Sequence, residues 1–226
     1  MRNPVPAGAL VVAAGRSRRL GRDKLFLTLL DRPLLGWVLA ALQSTPSLSQ
    51  VVLVVNGGNM EAAQQLAANF PQVCAVCLGG ESRQGSVAAG LAQARDWEWV
   101  AVLDGARPCV TPDLVGRGLE AARQTGAAVA AVPAVDTIKM VDEAGTVEST
   151  PPRHRLWLAQ TPQVFRRDIL AHAHLHPSTN ATDDASMVEA LGYRVKVFMG
   201  SYDNIKVTNE EDLAVAEAIL RRRRET

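Results

Sequence analysis

Short, almost wholly apolar runs alternate along the chain with longer segments in which apolar residues recur every three or four positions. Continuous apolar runs predict buried β-strands, and the three-to-four spacing predicts helices. The predicted strands are Ala9–Ala13, Val51–Val55, Val73–Leu78, Trp99–Leu103 and Ala127–Pro133. The predicted helices are Leu34–Leu42, Met60–Asn69, Ser86–Ala94 and Pro112–Thr125, the last with Thr111 as N-cap. This alternation favours a parallel sheet covered by helices on both faces, an α/β fold.

The pattern changes after Pro133, in the stretch "DTIKMVDEAGTVEST". It predicts two strands that are too polar for a sheet centre, joined by a turn at Asp142–Gly145. We therefore expect Val135–Ser149 to project from the body as a β-hairpin, before "LWLAQTPQVF" returns to the body. Because an isolated two-stranded hairpin is marginally stable in water, we expect this hairpin to pack against a second subunit.

The last quarter of the chain returns to alternating helix and strand. We expect helices at Arg167–Leu175 and Thr182–Leu191, and a strand at Arg194–Met199. Thr182, Asp183 and Asp184 are suited to capping the second of these helices. The final helix is predicted to start with a capping box from Thr208 to Glu211, and the basic run Arg221–Arg224 suits its C-terminal dipole.

Composition narrows the class of protein. A chain of 226 residues with 47% hydrophobic content suits one domain with an appendage, or two small domains. Its formal net charge of +1 argues against a general nucleic-acid binder, and no apolar run approaches the ~20 residues of a membrane span. The N-terminus resembles a signal peptide only loosely, so we expect a cytoplasmic protein. Cys74 and Cys77 would point to opposite faces of a strand, which makes metal binding by this pair the less favoured interpretation.

The turn after the first predicted strand, "AAGRSRRLGRDK", combines small residues with concentrated positive charge. Ligands of open α/β sheets bind beyond the carboxyl ends of the strands, where this turn lies. Ala13, Ala14 and Gly15 would let a ligand approach the backbone, and a polyphosphate would match the charge. The cations are Arg16, Arg18, Arg19, Arg22 and Lys24. The spacing fits neither a dinucleotide fingerprint nor a P-loop, and a solvated turn explains it equally well.

Three more stretches follow predicted strands. In "LGGESRQGSV", Gly80 belongs to a strand-to-helix turn and Ser86 is a candidate helix cap. In "LDGARP", Asp104 is suited to hold Mg²⁺ against phosphate oxygens, with an ion pair to Arg107 as the alternative. In "SYDNIKVT", Asp203 and Lys206 precede the last helix, where turn formation alone is the other interpretation. The triplet of His172, His174 and His176 is set aside, since only the outer two share a helical face.

Taken together, these motifs resemble the 2-C-methyl-D-erythritol 4-phosphate cytidylyltransferase family. The matching stretches occur in the family's order and span Ala13 to Thr208: "AAGRSRRLGRDK", "GGESRQGSV", "LDGARP", "DTIK", "LWLAQTPQVF", "TDDAS" and "DNIKVT". The resemblance implies one nucleotidyltransferase domain over residues 1–226, with a Rossmann-like, mostly parallel sheet. It also implies a projecting dimerisation arm at about residues 135–155, a homodimer, and transfer from CTP to a phosphorylated polyol with Mg²⁺ or another divalent cation.

The resemblance also assigns roles to residues, which we carry over position by position. Arg19 and Lys24 would hold the triphosphate, while Asp104 would hold the metal ion, with Asp203 as a further candidate ligand. The cytidine would lie against Ala13, Ala14, Gly15, Gly80 and Ser86. Lys206 would position the attacking phosphate, with Arg153 and Thr137 reaching into the neighbouring subunit's site. Further substrate-binding candidates are Arg107 and Thr161.

Some positions depart from the family pattern. Val12 stands where the family usually has proline, Ser17 where it has glycine, and Leu103 where it has histidine, while "DKL" replaces "PKQ" around Lys24. None of these changes removes a charged group, so we expect activity. Two alternatives remain at this stage: a cytidylyltransferase for another polyol phosphate such as ribitol 5-phosphate, and a non-catalytic nucleotide-binding homologue. A NAD-linked enzyme is disfavoured, because the glycine fingerprint is missing.

Overall fold

A computed structural model describes residues 7–15, 24–176 and 181–225. The strands in chain order are β1 (Ala7–Ala13), β2 (Thr28–Leu29), β3 (Arg32–Pro33), β4 (Gln50–Val55), β5 (Val73–Leu78), β6 (Trp99–Asp104), β7 (Ala127–Pro133), β8 (Met140–Val141), β9 (Val147–Ser149), β10 (Trp157–Arg166) and β11 (Lys196–Met199). The helices are α1 (Leu34–Gln43), α2 (Met60–Ala67), α3 (Arg83–Gln93), α4 (Pro112–Thr125), α5 (Arg167–Leu175), α6 (Asp184–Ala190) and α7 (Glu210–Arg224). All nine segments predicted before the hairpin are therefore confirmed, with shifts of a few residues at their ends.

Seven strands form the central sheet, in the order β11-β7-β10-β6-β1-β4-β5. Its pairs are parallel except those made by β10, which runs antiparallel to both β6 and β7. The predicted α/β, mostly parallel sheet is thus confirmed. Because neighbouring parallel strands end at the same edge, the carboxyl ends of β1, β4, β5 and β6 meet there.

Alternate residues along the strands supply two apolar cores, one on each face of the sheet. Val11 and Leu53 pack on the face covered by α1, α2, α4 and α7, whereas Leu10 and Val52 pack on the face covered by α3, α5 and α6. The continuous apolar runs of the sequence therefore arise because both faces of each strand are buried. Within the described ranges, no helix is long and apolar enough to cross a lipid bilayer.

Two predicted helix caps are wrong. Ser82, and not Ser86, caps α3: its side chain accepts a hydrogen bond from the Gly85 N–H, and the helix begins a turn earlier than expected. The capping box of α7 joins Asn209 and Asp212, because Thr208 lies one residue too early to be the N-cap. The predicted cap of α3 is one turn too late, and that of α7 is one residue too early. The sequence pattern cannot choose between several capping residues that lie close together.

The predicted hairpin is present. Strands β8 and β9 pair with each other and not with the central sheet, and Asp142 organises the turn between them. Its Oδ1 accepts hydrogen bonds from the N–H groups of Ala144 and Thr146, and Gly145 has the positive φ of 81° that glycine tolerates. We call residues 135–155 the arm. All of residues 135–150 are exposed.

Candidate active site

A cavity of about 810 Å³ opens at the carboxyl ends of β1, β4, β5 and β6. Its wall contains eight of the residues that the sequence suggested for a site: Ala13, Ala14, Gly15, Lys24, Gly80, Ser86, Asp104 and Lys206. They come from four separate stretches that are brought together because parallel strands deliver their following loops to one edge. The volume is that of an ordinary small-molecule site.

The floor of the cavity is made of tightly packed small residues. A Cβ added to Gly79 would lie 2.5 Å from Ala14 Cβ and 2.6 Å from Ser86 Oγ, so only glycine fits there. Ser86 is buried within α3, and its one hydroxyl proton is shared between the carbonyl oxygens of Ser82 at 2.9 Å and Gly80 at 3.3 Å. It therefore fixes the turn that forms the cavity floor.

Asp104, the last residue of β6, stands at the centre of a cluster of positive side chains. Its Oδ2 lies 3.0 Å from Lys206 Nζ and 3.5 Å from Arg107 Nε, and its Oδ1 lies 3.9 Å from Arg83 Nε. Burial alone would raise the pKa of Asp104, but Lys206, Arg107 and Arg83 together hold it below its usual range. The carboxylate is thus ionised at neutral pH, and positive charge still exceeds negative charge around it.

A buried polar layer behind Asp104 holds it in place. The backbone N–H of Asp104 donates to Thr161 Oγ1 at 3.0 Å, and the buried Asn204 donates to the carbonyl oxygen of Thr161. Arg107 donates to the carbonyl oxygen of Asn204 at 2.7 Å. Burial lowers the pKa of Arg107. Arg107 and Thr161 therefore lie beside the cavity and support Asp104, and neither is among the described residues of its wall.

The two lysines enter the cavity from opposite ends of the chain. Val207 fixes the segment that carries Lys206, because its N–H donates to the carbonyl oxygen of Ala106 at 2.8 Å. Lys24 donates from Nζ to the carbonyl oxygen of Val207, also at 2.8 Å. The two ammonium groups are therefore organised around one short segment. A polyanion bound in the cavity would be contacted by a lysine from each of two sides.

Other predicted site residues lie elsewhere. Thr137 and Arg153 belong to the exposed arm, where Arg153 lines a second cavity at the arm's base and donates to the carbonyl oxygen of Val135. Asp203 does not line the main cavity in the described part of the chain: it pairs with Arg222 at 2.6 Å and Arg223 at 3.5 Å. Arg19, Ser17, Asp23 and the other loop arginines fall outside the described residues.

Sequence reasoning missed Arg83, Glu81 and Asn56, which also line the cavity. Arg83 pairs with the fully buried Asp184 at 2.6 Å. Burial disfavours its charge, yet Asp184 and Asp104 raise the pKa of Arg83. Arg83 is the first residue of a helix that follows a strand at the ligand edge, and this position could have suggested it as a site residue. Its pairing with Asp184, 101 residues away, could not be predicted from the local pattern.

Asp104 also fits a magnesium ion. Mg²⁺ usually takes one or two carboxylates, with water and substrate phosphates completing its six oxygen ligands. In the described ranges no cluster of three or more His, Cys, Asp or Glu side chains could hold a metal ion by itself. Among the described residues, the one ion pair of Asp104 Oδ1 is the 3.9 Å contact with Arg83 Nε, so none of them forms a short ion pair with this oxygen. A metal ion here would therefore depend on the phosphates of a ligand.

The sheet and its cationic cavity define the class: an α/β protein that holds a phosphorylated ligand beyond the carboxyl ends of parallel strands. The family model described as 2-C-methyl-D-erythritol 4-phosphate cytidylyltransferase matches residues 7–222. The chain belongs to this family of nucleotidyltransferases.

Individual relatives agree with this assignment. A protein of Dehalococcoides mccartyi (strain ATCC BAA-2266 / KCTC 15142 / 195), named 2-C-methyl-D-erythritol 4-phosphate cytidylyltransferase, is 47% identical over 220 residues, which are 96% of this chain and 97% of the relative. A solved structure of the Thermus thermophilus protein of that name shares 36% identity at a TM-score of 0.79, covering 95% of this chain and 98% of the other. The 4-diphosphocytidyl-2C-methyl-D-erythritol synthase of Anaerococcus prevotii superposes with a TM-score of 0.87 at 26% identity, covering 97% and 100%.

Proposed function

We propose that this chain transfers the cytidylyl group of CTP to 2-C-methyl-D-erythritol 4-phosphate and releases pyrophosphate, a step of non-mevalonate isoprenoid precursor synthesis. Family membership supports the reaction. The observation that carries it within this chain is the group of Lys24, Lys206 and Arg83 around one cavity, whose described wall has one buried carboxylate, Asp104. Such a cavity suits two anionic reactants better than a neutral one.

The reaction needs fixed positive charge more than it needs a base. A phosphate oxygen of the polyol phosphate forms a bond to the α-phosphorus of CTP, and the bond from that phosphorus to the oxygen bridging to the β-phosphate breaks. Pyrophosphate carries away the electron pair of the broken bond. The nucleophile is already anionic, so the obstacle is repulsion between two polyanions, which preorganised cations reduce.

In this proposal the described side chains act from the places they occupy, and the role of Arg19, which lies outside the described residues, follows the family resemblance. Lys24 and Arg19 hold the triphosphate, and Lys206 positions the attacking phosphate. The small-residue floor, with Ala13, Ala14, Gly15, Gly80 and Ser86, holds the cytidine. Arg107 and Thr161 keep Asp104 in place through the contacts described above.

Divalent metal dependence is part of the proposal. Asp104 would hold Mg²⁺ together with phosphate oxygens of the nucleotide, and the ion when bound neutralises charge that develops on the leaving pyrophosphate. Asp203 is a weaker candidate as a second ligand, because its carboxylate is already paired with Arg222. Treatment with EDTA should abolish pyrophosphate release, and added Mg²⁺ should restore it.

A homodimer is also proposed, with the arm as its contact. Large apolar side chains on or beside the arm are exposed, among them Val135, Met140, Val141, Val147 and Leu158 at 51–61%. In a dimer, Arg153 and Thr137 would reach the partner's cavity. Sedimentation of the purified chain would give its mass in solution, and a monomer at micromolar concentration would contradict this part.

We further propose that the protein works in the cytoplasm. Cys74, Cys77 and Cys109 are all free thiols in the structure, as is usual in a reducing compartment. Fractionation of the source cell with an antibody to the chain would test this. Recovery with the periplasmic or membrane fraction would contradict it.

A pyrophosphate-release assay tests the reaction itself. The purified chain is offered CTP, UTP, ATP or GTP, each with 2-C-methyl-D-erythritol 4-phosphate or ribitol 5-phosphate. We expect release with CTP and the methylerythritol phosphate to exceed every other combination. Faster turnover with ribitol 5-phosphate would indicate a different cytidylyltransferase. CTP binding without release in any combination would indicate a non-catalytic homologue.

A further inference from the structure

One buried set of side chains connects α5 and α6 to the cavity, although the mechanism above makes no use of it. His174 on α5, Asp184 at the start of α6 and Arg83 at the start of α3 lie in a row. Arg83 Nη1 is 2.6 Å from Asp184 Oδ2, and His174 Nε2 is 3.2 Å from Asp184 Oδ1. Arg83 is the member of this row that also lines the cavity.

The contacts of Asp184 are those that a buried carboxylate needs. Its side chain is 0% exposed and that of His174 is 6% exposed, so neither has water to replace a protein partner. A carboxylate taken out of water is tolerated when both oxygens receive hydrogen bonds or an ion pair. A carboxylate oxygen can only accept, so His174 Nε2 must carry the proton that it donates. Each oxygen of Asp184 therefore has one donor.

These contacts use only part of the hydrogen-bonding capacity of Arg83. The guanidinium is a planar group with five N–H donors, and Asp184 accepts from Nη1 alone. The Nε atom lies 3.9 Å from Asp104 Oδ1, which is too long for a hydrogen bond. Arg83 is 28% exposed in its side chain and belongs to the cavity wall. Among the described residues Arg83 makes no further hydrogen bond, so its remaining donors can meet a ligand in the cavity that Lys24 and Lys206 also line.

We propose that His174 and Asp184 form a positioning pair that holds Arg83 in one orientation, so that Arg83 donates hydrogen bonds to the triphosphate of the bound nucleotide. This inference rests on the proposed function, because it assumes that CTP occupies the cavity. His174 touches no substrate: it fixes Asp184, and Asp184 fixes Arg83. The sequence pattern alone gives no sign of this role, since it shows His174 only as one of three helix histidines.

The other two histidines show that this role belongs to His174 alone among the three. His172 and His176 contact each other, with ring centroids 4.8 Å apart, and His172 also contacts Tyr193. Both are exposed, on a different side of α5 from His174. His172 therefore provides a matched control: the same residue type, two positions away on the same helix, without a contact to Asp184.

An arginine loses side-chain freedom when it binds a ligand, and a side chain that is already held in place loses less. Loss of the positioning pair should therefore weaken nucleotide binding, by about 3- to 10-fold, and leave the chemical step nearly unchanged. The KM for CTP and the dissociation constant for CTP should rise together. The KM for the polyol phosphate should stay within about twofold, because Lys206 keeps its own contact with Asp104.

The experiment compares His174→Leu, His174→Gln, His174→Asn and His172→Leu with the wild type. CTP binding is measured by calorimetry, and kcat and KM by pyrophosphate release. We expect His174→Leu to raise the KM and Kd for CTP, and His174→Gln to restore both, since its amide N–H can take the place of Nε2–H. His172→Leu should match the wild type. If His174→Leu folds poorly, His174→Asn is decisive, because its polar side chain is too short to reach Asp184.

A double substitution tests the route through Arg83. In an Arg83→Gln background, His174→Leu should cause no further rise in the KM for CTP, because the residue that it positions is already gone. Full additivity would overturn the inference, as would a normal CTP affinity in both His174→Leu and His174→Asn. A rise that His174→Gln fails to restore would also overturn it, because it would indicate a packing role.

Failure of the proposed function would look different. If the wild type binds CTP but releases no pyrophosphate, the proposed function is wrong, and the CTP dissociation constants of the same variants still decide the role of His174. If the wild type does not bind CTP at all, both proposals are wrong. If the wild type is active and the variants bind CTP normally, only the positioning role is wrong.

Discussion

The cavity edge of the sheet and the arm differ in how their side chains are supported. At the cavity, Asp104 is contacted from several elements: by Thr161 of β10, by Lys206 and, at 3.9 Å, by Arg83 of α3. In the arm, residues 135–150 are all exposed, and β8 pairs only with β9. The described wall of the cavity is built from the sheet edge and the segments that follow it, whereas the arm has apolar side chains and no partner for them within the described residues.

This difference explains which predicted site residues come together within one chain and which do not. Lys24 and Lys206 meet in one cavity, and their positions follow from the sheet. Thr137 and Arg153 lie on the arm, and their proposed ligand would belong to a second subunit. The charged groups of the cavity lie on elements of the central body, while the proposed sharing of a site would depend on a projecting hairpin that is marginally stable by itself.

Replacing a lysine in the cavity should have the largest effect. Lys206→Ala removes the ammonium group 3.0 Å from Asp104, and we expect kcat to fall about 10²- to 10³-fold, equivalent to about 3–4 kcal/mol. Lys196→Ala, an exposed lysine on β11, is the matched control and should keep normal turnover. Steady-state kinetics would measure both. A Lys206→Ala variant within tenfold of the wild type would remove Lys206 from the mechanism.

Mixing inactive subunits tests whether the arm completes a neighbouring cavity. Lys24→Ala and Arg153→Ala chains should each be nearly inactive alone. After random exchange about half of the dimers are mixed, with one intact site out of two, so about a quarter of wild-type activity should return.

The control mixture uses Lys24→Ala with Lys206→Ala. These two residues line the same cavity, so every mixed dimer has a defect in both sites and no activity should return. Equal recovery in both mixtures, or none in the first after exchange is verified by mass spectrometry, would contradict a site shared through the arm.

Two glycine substitutions contrast the regions directly. Gly79→Ala places a Cβ 2.5 Å from Ala14 Cβ in the packed floor, and we expect a loss of about 1–3 kcal/mol in the free energy of unfolding. Gly145→Ala has open space but a φ of 81°, so its strain of about 1–2 kcal/mol should open only the hairpin. Urea unfolding should shift for Gly79→Ala alone, while amide exchange in the arm should speed up for Gly145→Ala. A global shift of equal size in both variants would show that the arm unfolds with the body.

The smallest expected effect concerns pH. The pKa of Asp104 is depressed in the folded protein, so its carboxylate stabilises the fold above its unfolded pKa of about 4. This contribution is lost as the pH falls through the lower, folded-state pKa. Without ligand, Asp104→Asn should therefore cost about 1 kcal/mol at pH 7, since Lys206 is partly exposed and its pairing is screened. The difference from the wild type should shrink below about pH 4. A difference that grows on acidification would contradict the assignment.

Much of the fold was predictable because it depends on local pattern. Val51–Val55 and Ala127–Pro133 are apolar throughout, and only strands buried on both faces account for that. The antiparallel placement of β10 between β6 and β7 was not predictable, since "LWLAQTPQVF" resembles any buried strand and its neighbours are decided by tertiary packing. The spacing of apolar residues indicates whether a strand is buried, but it does not indicate which strands are its neighbours.

The site divides in the same way. Asp104 was predictable because it ends a strand at the ligand edge, and Lys206 because its segment precedes the last helix. The pairing of Arg83 with the buried Asp184 was not predictable, because in the sequence Asp184 resembles a second helix-capping residue beside Asp183. Asp203 was expected to face the ligand, but its nearest cations come from the basic end of α7, a contact between segments 19 residues apart. Long-range pairing of this kind leaves no trace in local spacing.

The attachment of the arm has a practical consequence for engineering. The arm leaves the sheet after Pro133 and re-enters it at Trp157, and these two residues are paired neighbours on β7 and β10. A segment of another length or sequence grafted between them would therefore leave the strand order unaltered. If the proposed dimer forms through the arm, exchanging this segment between related chains, with Thr137 and Arg153 kept, offers a way to create subunits that recognise only chosen mates.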